Sequence, residues 1–180
     1  MEIFVMRHGT TCWNERGITQ GRTNNRLSKN GIELTKKVAN LHKNDHFDVI
    51  FCSPLMRTVQ TANIINAHHN AKIVKDKRLI EIDQGIFSGK RYADLTDKEK
   101  EQKNNRAKEC GMENYQQVFD RAKNFFEDLK AKCGDKSVLI VTHNVVASIL
   151  EIIACGKKFD ANDKKSMRTF DNAQVKFFKI

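Results

Sequence analysis

Hydrophobic positions fall into two kinds of segment that alternate along the chain. Short apolar runs rich in Val, Ile and Phe are typical of strands that are covered on both faces. They lie at 3–6, 47–52, 137–142 and 175–178, with a weaker run at 73–74. Between these runs, apolar residues recur at intervals of three and four, which is the spacing of one helix face. This spacing predicts helices within 34–41, 55–65, 118–129 and 145–153.

Strand–helix alternation of this kind predicts an α/β fold, a three-layer sandwich with a mostly parallel central sheet and helices on both faces. The last strand follows a polar stretch, 157–172, with little helical periodicity, so we expect it to run antiparallel at an edge of the sheet. A length of 180 residues fits a single domain spanning 1–180.

One segment, 90–114, interrupts the pattern because it is densely charged and nearly free of large apolar residues. The simpler interpretation is a solvated surface helix, and we favour it. The functional interpretation is a small lid-like insertion over a site, because lids come from segments with few buried contacts.

The net charge of +10 is spread over the whole chain. Residues 1–46 contribute +4, 47–89 contribute +1, 90–136 contribute +2 and 137–180 contribute +3. A basic nucleic-acid-binding module is the alternative of a different class, but such modules cluster their basic residues and interleave them with aromatic ones. We therefore expect a preference for anions and no specific nucleic-acid partner.

The remaining composition indicates a cytoplasmic protein. No apolar run is long enough to span a bilayer, so no membrane partner is expected. Glu2 and Arg7 flank a very short apolar run, unlike a secretory signal. The five cysteines are scattered, without C-x-x-C spacing, which fits reduced thiols.

Basic side chains and histidines follow three of the predicted strands. His8 lies next to Arg7 after the first strand, and His143 follows the fourth. In open α/β sheets, ligands bind at the carboxyl ends of strands, so these residues converge if their strands are parallel neighbours.

The second strand is followed by a predicted helix start. Ser53 and Pro54 are interpreted as the N-cap and first residue of that helix. Arg57 then lies near the first turn, where free N–H groups and the helix dipole favour an anion. The planar guanidinium of Arg57 can donate hydrogen bonds to two phosphate oxygens at once.

Together these residue types predict a phosphoryl site without a metal. A neutral imidazole can attack phosphorus, and arginines can neutralise the equatorial oxygens. A carboxylic acid must protonate the leaving oxygen and later activate water. Glu81 has apolar neighbours that would raise its pKa, and Asp83 is the competing candidate on spacing.

Several segments resemble those of a known family, the histidine phosphatase superfamily in its phosphoglycerate-mutase-like branch. Residues 7–14, RHGTTCWN, resemble its signature R-H-G-x-T-x-W-N, and 53–62 match S-P-L-x-R-[AT]-x-Q-T-A. Residues 79–89 resemble L-x-E-x-x-x-G-x-[FW]-x-G, and 141–143 and 172–175 resemble the second-histidine motif and the C-terminal strand.

The resemblance implies roles for individual residues. His8 would be the nucleophile, Glu81 the acid and base, and His143 a further catalytic group. It also implies that neither a metal nor an organic cofactor is used. The predicted phosphate and substrate contacts are Arg7, Asn14, Gln20, Gly21, Arg57 and Asn144.

Departures from the family pattern surround the expected pocket and concern substrate preference. Thr10 stands where Glu or Gln is usual, and Ile18 where a basic residue is common. Asn24 and Arg26 stand where Asp and Pro are common, and Asn144 replaces a frequent Gly.

The segment after the acid separates phosphatases from mutases. Mutases have an arginine directly after the acid, whereas here Ile82 follows Glu81. This favours a phosphatase that acts on a small phosphomonoester and resembles the α-ribazole phosphate and broad-specificity group. The alternative is mutase-type phosphoryl transfer. We also consider a homodimer.

Overall fold

The computed structural model describes residues 1–167 and 169–180. Its helices and strands alternate as the hydrophobic pattern predicts. The strands are β1 (Glu2–Arg7), β2 (Val49–Cys52), β3 (Lys72–Lys75), β4 (Ser137–Thr142) and β5 (Val175–Lys179). The helices are α1 (Cys12–Glu15), α2 (Lys29–Leu41), α3 (Met56–Asn66), α4 (Asp97–Asn104), α5 (Tyr115–Cys133) and α6 (Asn144–Ala154).

The strands named above form one sheet in the order β3-β2-β4-β1-β5. The first four are mutually parallel, and β5 runs antiparallel to β1 at the edge, as predicted. Every residue of β4, the central strand, is buried, which explains its continuous apolar run. The register pairs Arg7 with Thr142 and Cys52 with Val141, so β1, β4 and β2 end side by side.

Alternate side chains of the sheet contribute to two apolar layers. Ile3, Val5, Val138 and Ile140 pack with α5 and α6 on one face. The other face packs against α2 and α3 and includes Met6, Ile50, Leu139 and Val141. The predicted three-layer sandwich is therefore confirmed. None of the helices in 1–167 and 169–180 is long and apolar enough to cross a bilayer.

A close backbone contact places the loop after β1 on α2. A Cβ at Gly31 would lie 1.9 Å from the carbonyl oxygen of Thr10, so no side chain fits there without moving the backbone. The Ser28 hydroxyl caps α2 by accepting from the N–H of Gly31, and the N–H of Ser28 donates to the Thr10 carbonyl. These contacts fix the loop that follows His8.

The polar segment 90–114 contains α4 and two short 3₁₀ helices, Tyr92–Asp94 and Lys108–Cys110. The expected solvated helix is present as α4, in which Lys103 is the one buried residue, but the segment also has a small core of its own. Leu95, Cys110 and Met112 pack around Phe87. Lys103 on α4 is also buried, with its ammonium over the rings of Phe87 and Tyr92.

Candidate active site

Two histidines meet where β1 and β4 end. The N–H of His8 donates to the Thr142 carbonyl at 2.9 Å, which continues the β1–β4 ladder by one residue. His143 follows immediately as the N-cap of α6. The two ring centroids lie 5.2 Å apart with an interplanar angle of 63°. Both side chains are buried.

Arg57 lies between the two imidazoles and is 1% exposed. Its Nε is 3.3 Å from His8 Nε2 and 3.2 Å from His143 Nδ1. Its terminal nitrogens donate to the carbonyls of Thr23 at 2.7 Å and Gly21 at 2.8 Å. Burial lowers the pKa of Arg57 to about 10, so the guanidinium remains charged at neutral pH. A buried cation whose four acceptors are neutral favours an anion beside it.

Hydrogen bonds determine the tautomers of both rings. A carbonyl only accepts, so the 2.7 Å contact of His8 Nδ1 with the Gly9 carbonyl places the proton on Nδ1 and leaves the lone pair on Nε2. His143 accepts at Nδ1 from Arg57, and its Nε2 contacts the Ser53 hydroxyl at 2.9 Å. Burial, and then the charge of Arg57, lower the pKa of both histidines well below the usual range. Both rings are therefore neutral near pH 7.

The predicted helix start at Ser53 and Pro54 is wrong by two residues. Helix α3 begins at Met56, and its N-cap, Leu55, has no side-chain cap bond. The Ser53 hydroxyl accepts from the N–H of Leu55 at 3.3 Å and contacts His143 instead. Arg57 nevertheless lies in the first turn of α3, as expected.

A cavity of about 780 Å³ opens over these strand ends. Eight of the nine predicted site residues line it, and His143 lies beneath them against Arg57. The eight are Arg7, His8, Asn14, Gln20, Gly21, Arg57, Glu81 and Asn144.

Hydrogen bonds to the backbone or to neighbouring side chains anchor the polar side chains around the cavity. Arg7 donates to the Phe170 carbonyl at 2.7 Å, and Asn144 Oδ1 accepts from the N–H of Phe170 at 3.3 Å. Asn14 Oδ1 completes a capping box with Thr11, so its NH₂ group is the part of the amide available to a ligand. Gln20 Oε1 accepts from Asn25 at 3.4 Å, so the NH₂ group of Gln20 is likewise the part of the amide that is available to a ligand.

The structure separates the two candidate acids. Glu81 lines the cavity, and one of its oxygens accepts from the N–H of Ile82 at 3.0 Å. Burial raises the pKa of Glu81, which favours the protonated form that a general acid needs. Asp83 is absent from the lining; it accepts from the N–H of Gly85 at 2.9 Å and faces Arg22 at 3.5 Å.

Part of the cavity wall was not predicted from the sequence. Its residues come from segment 90–114, from the loop after α6 and from single positions at 84 and 115. The only sequence signal was the unusual polarity of 90–114. The unpredicted wall residues include Gln84, Tyr92, Lys103, Asn104, Arg106, Tyr115, Lys164 and Lys165.

Comparison with known proteins identifies relatives over almost the whole chain. A sequence model of the histidine phosphatase superfamily (branch 1) matches residues 3–180. Phosphoserine phosphatase 1 of Hydrogenobacter thermophilus is 31% identical over 81% of this chain and 72% of its own length. The chain spans only a third to a half of the next curated relatives.

Solved structures share the fold. The α-ribazole phosphatase of Shigella flexneri has a TM-score of 0.87 at 24% identity and covers 100% of this chain and 91% of its own. A phosphoglycerate mutase of Bacillus anthracis has a TM-score of 0.80 at 22% identity, covering 98% and 86%. At these identities the similarity shows the architecture alone.

Proposed function

This chain is a phosphatase that belongs to the histidine phosphatase superfamily (branch 1), and we propose that it hydrolyses a small phosphomonoester through a phosphohistidine on His8 without a metal. One observation supports this most strongly. A buried, charged Arg57 contacts a neutral His8 whose lone pair is on Nε2, at the floor of an open cavity.

In the first step, the Nε2 lone pair of His8 attacks phosphorus and the bond from phosphorus to the ester oxygen breaks. Glu81 donates its proton to that oxygen, and the alcohol leaves. Arg7 and Arg57 neutralise the phosphoryl oxygens during the transfer, and His143 holds Arg57 in place by accepting from its Nε. Burial raises the pKa of Glu81, which favours the protonated form that this step needs.

In the second step, the Glu81 carboxylate takes a proton from water while the water oxygen attacks phosphorus. The phosphorus–nitrogen bond breaks and its electron pair returns to Nε2. Inorganic phosphate leaves, and Glu81 is again protonated. Activity therefore needs His8 neutral and Glu81 protonated, so kcat/KM is expected to peak between the lowered pKa of His8 and the raised pKa of Glu81.

The wall charges favour a substrate with a second anionic group. Arg7 and Arg57 match the phosphate itself, whereas Lys103, Arg106 and the pair at 164–165 add cations elsewhere on the cavity. A phosphorylated hydroxy acid such as phosphoserine, the substrate class named for the Hydrogenobacter relative, fits this charge. α-Ribazole phosphate stays in the panel because the fold is shared with its phosphatases.

Two variants test the chemistry. His8→Ala is expected to abolish turnover and the acid-labile phosphoenzyme, with exposed His68→Ala as the matched control. Glu81→Gln is expected to slow phosphoserine far more than p-nitrophenyl phosphate, whose leaving group needs little protonation. Glu127→Gln, at an exposed carboxyl, is the matched carboxyl-to-amide control. Labelled phosphate retained by His8→Ala would contradict the nucleophile.

A panel of phosphorylated metabolites separates hydrolysis from transfer. It contains phosphoserine, α-ribazole phosphate and 3-phosphoglycerate, the last with and without bisphosphoglycerate. Release of inorganic phosphate supports the phosphatase proposal. Isomerisation of 3-phosphoglycerate, faster than phosphate release, would support the mutase alternative instead.

A further inference from the structure

The loop that bears Glu81 has no regular structure around the acid, yet hydrogen bonds hold four of its carbonyls. Arg121 on α5 donates to the carbonyl of residue 78 at 2.6 Å, and Thr142 donates to that of residue 79 at 2.7 Å. Arg22 donates to the carbonyl of Glu81 at 3.3 Å, and Arg106 to that of residue 83 at 2.6 Å. The acid is thus oriented from several distant segments.

The Glu113 carboxylate contacts two of these four donors. It contacts Arg121 Nε at 2.9 Å and Arg22 at 3.1 Å, and it accepts from the N–H of Asp83 at 3.2 Å. The N–H of Glu113 donates in turn to the Asp83 carbonyl at 3.2 Å. The Glu113 side chain is only 11% exposed, so these charges are screened less than at an open surface.

Arg22 extends the network to the phosphate pocket. It lies between Gly21 and Thr23, whose carbonyls hold the guanidinium of Arg57. The same short segment therefore contacts the cation beside His8 through its backbone and Glu113 through its side chain. Asp83 also faces Arg22, at 3.5 Å, from the acid loop itself.

We propose that Glu113 is a positioning residue whose carboxylate fixes the Glu81 loop relative to the segment holding Arg57, and so sets the placement of the acid opposite His8. The inference rests on the proposed function for its catalytic consequence. Glu113 is not in the cavity lining, so it acts through Arg22, Arg121 and the backbone of residue 83.

Glu113→Gln is the test, because it preserves shape but removes the charge shared by two arginines. Glu127→Gln, an exposed glutamate 3.9 Å from Lys123, is the matched control. We expect kcat for phosphoserine to fall about tenfold, because a small misplacement of the acid weakens proton transfer. The kcat for p-nitrophenyl phosphate is expected to fall less than about threefold, because its leaving group needs little protonation.

A double-variant comparison distinguishes positioning from general support. In a Glu81→Gln background, Glu113→Gln is expected to cause no further substrate-selective loss, because there is no acid left to misplace. Equal losses on both substrates, or a selective loss that persists without Glu81, would overturn the proposal and indicate a structural role only.

Hydrogen exchange tests the coupling without using activity. The amides of 79–85 are expected to exchange faster in Glu113→Gln than in the wild type or Glu127→Gln, while those of β4 stay unchanged. Unchanged exchange at 79–85 would overturn the proposal. If the wild type shows no Glu81-dependent hydrolysis, the proposed function fails, and the exchange result still decides whether Glu113 fixes the loop.

Discussion

The two sides of the cavity are built in different ways. On the strand side, His8 and His143 directly follow β1 and β4, and Arg57 lies in the first turn after β2. On the opposite side, Lys103 and Arg106 come from a polar insertion whose contacts are mostly to loops. Residues that follow adjacent parallel strands are positioned by the sheet register, whereas loop residues depend on individual hydrogen bonds.

The difference extends to how charge is used. Arg57 is buried and donates to two imidazoles as well as two carbonyls. Arg106 also donates to two carbonyls, those of Asp83 and Glu113, and lies over the ring of Tyr115 at 5.2 Å. We infer that the strand side holds the reacting group and that the insertion side selects what is attached to it.

The largest expected effect comes from exchanging arginine for lysine on each side. Arg57→Lys is expected to lower kcat/KM about 10²–10³-fold, because a single ammonium cannot reproduce the fork between His8, His143 and the phosphoryl oxygens. Arg106→Lys is expected to lower it less than about tenfold, because it contacts no reacting atom. Steady-state kinetics on phosphoserine measures kcat/KM for both variants. Similar losses in the two would contradict the inference that only the strand side holds the reacting group.

The next effect concerns the Gly21 backbone, which lies between the two sides. Gly21 has φ +49°, and a Cβ there would lie 2.9 Å from Ser88 Oγ and 3.0 Å from Gln84 Cβ. Gly17 has φ +64° with nothing within 4 Å of a Cβ, so it is a matched control for backbone strain. Gly17→Ala is expected to cost about 1 kcal/mol of unfolding free energy.

Gly21→Ala is expected to cost about 1–3 kcal/mol more than this control, because the neighbours must move. It is also expected to lower kcat/KM, since its carbonyl orients Arg57. Urea unfolding measures the unfolding free energy, and steady-state kinetics measures kcat/KM. Equal unfolding free energies for the two variants would show that the close approach at Gly21 has no energetic consequence.

The same division explains what the sequence could predict. His8, His143 and Arg57 were placed together correctly because apolar runs predicted the strands, and strand ends determine their neighbours. The sequence favours Glu81 over Asp83 through its apolar neighbours and the family resemblance, but strand position does not separate them, because they lie two residues apart in an irregular loop. Their directions depend on donors from distant segments, including Arg22 and Arg106.

Contacts between distant segments explain one error and one contact that the sequence does not predict. Ser53 has the residue type and position of an N-cap, but its hydroxyl contacts His143, which comes close only in the folded chain. Lys103 lies in a segment that has almost no apolar pattern, yet it is buried on the rings of Phe87 and Tyr92. Neither contact leaves a local signal in the sequence.

A smaller effect is expected from the two exposed lysines of the loop after α6. The double variant Lys164→Gln, Lys165→Gln is expected to raise KM for phosphoserine about three- to tenfold and to leave p-nitrophenyl phosphate nearly unchanged, because only the former has a second anionic group. The effect should shrink at high ionic strength, since exposed charges are screened. An equal rise in KM for both substrates would place these lysines at the phosphate instead.

The smallest expected effect is a pH dependence of stability to which the buried histidines of the strand side contribute. His143 is buried and neutral in the folded state, whereas in the unfolded chain it takes up a proton near its ordinary pKa of about 6.5. The unfolded state therefore binds more protons below about pH 6.5, and stability falls as the pH falls. His8 acts in the same direction, and Glu81, whose folded pKa is raised, opposes them.

Between about pH 7.5 and 5.5, His143→Gln is expected to lose about 1 kcal/mol less unfolding free energy than the wild type, because the variant lacks the proton that His143 takes up on unfolding. Urea unfolding at both pH values measures this difference, and identical pH dependence in the two proteins would mean that His143 has the same pKa in the folded state as in the unfolded chain, so that burial does not lower it.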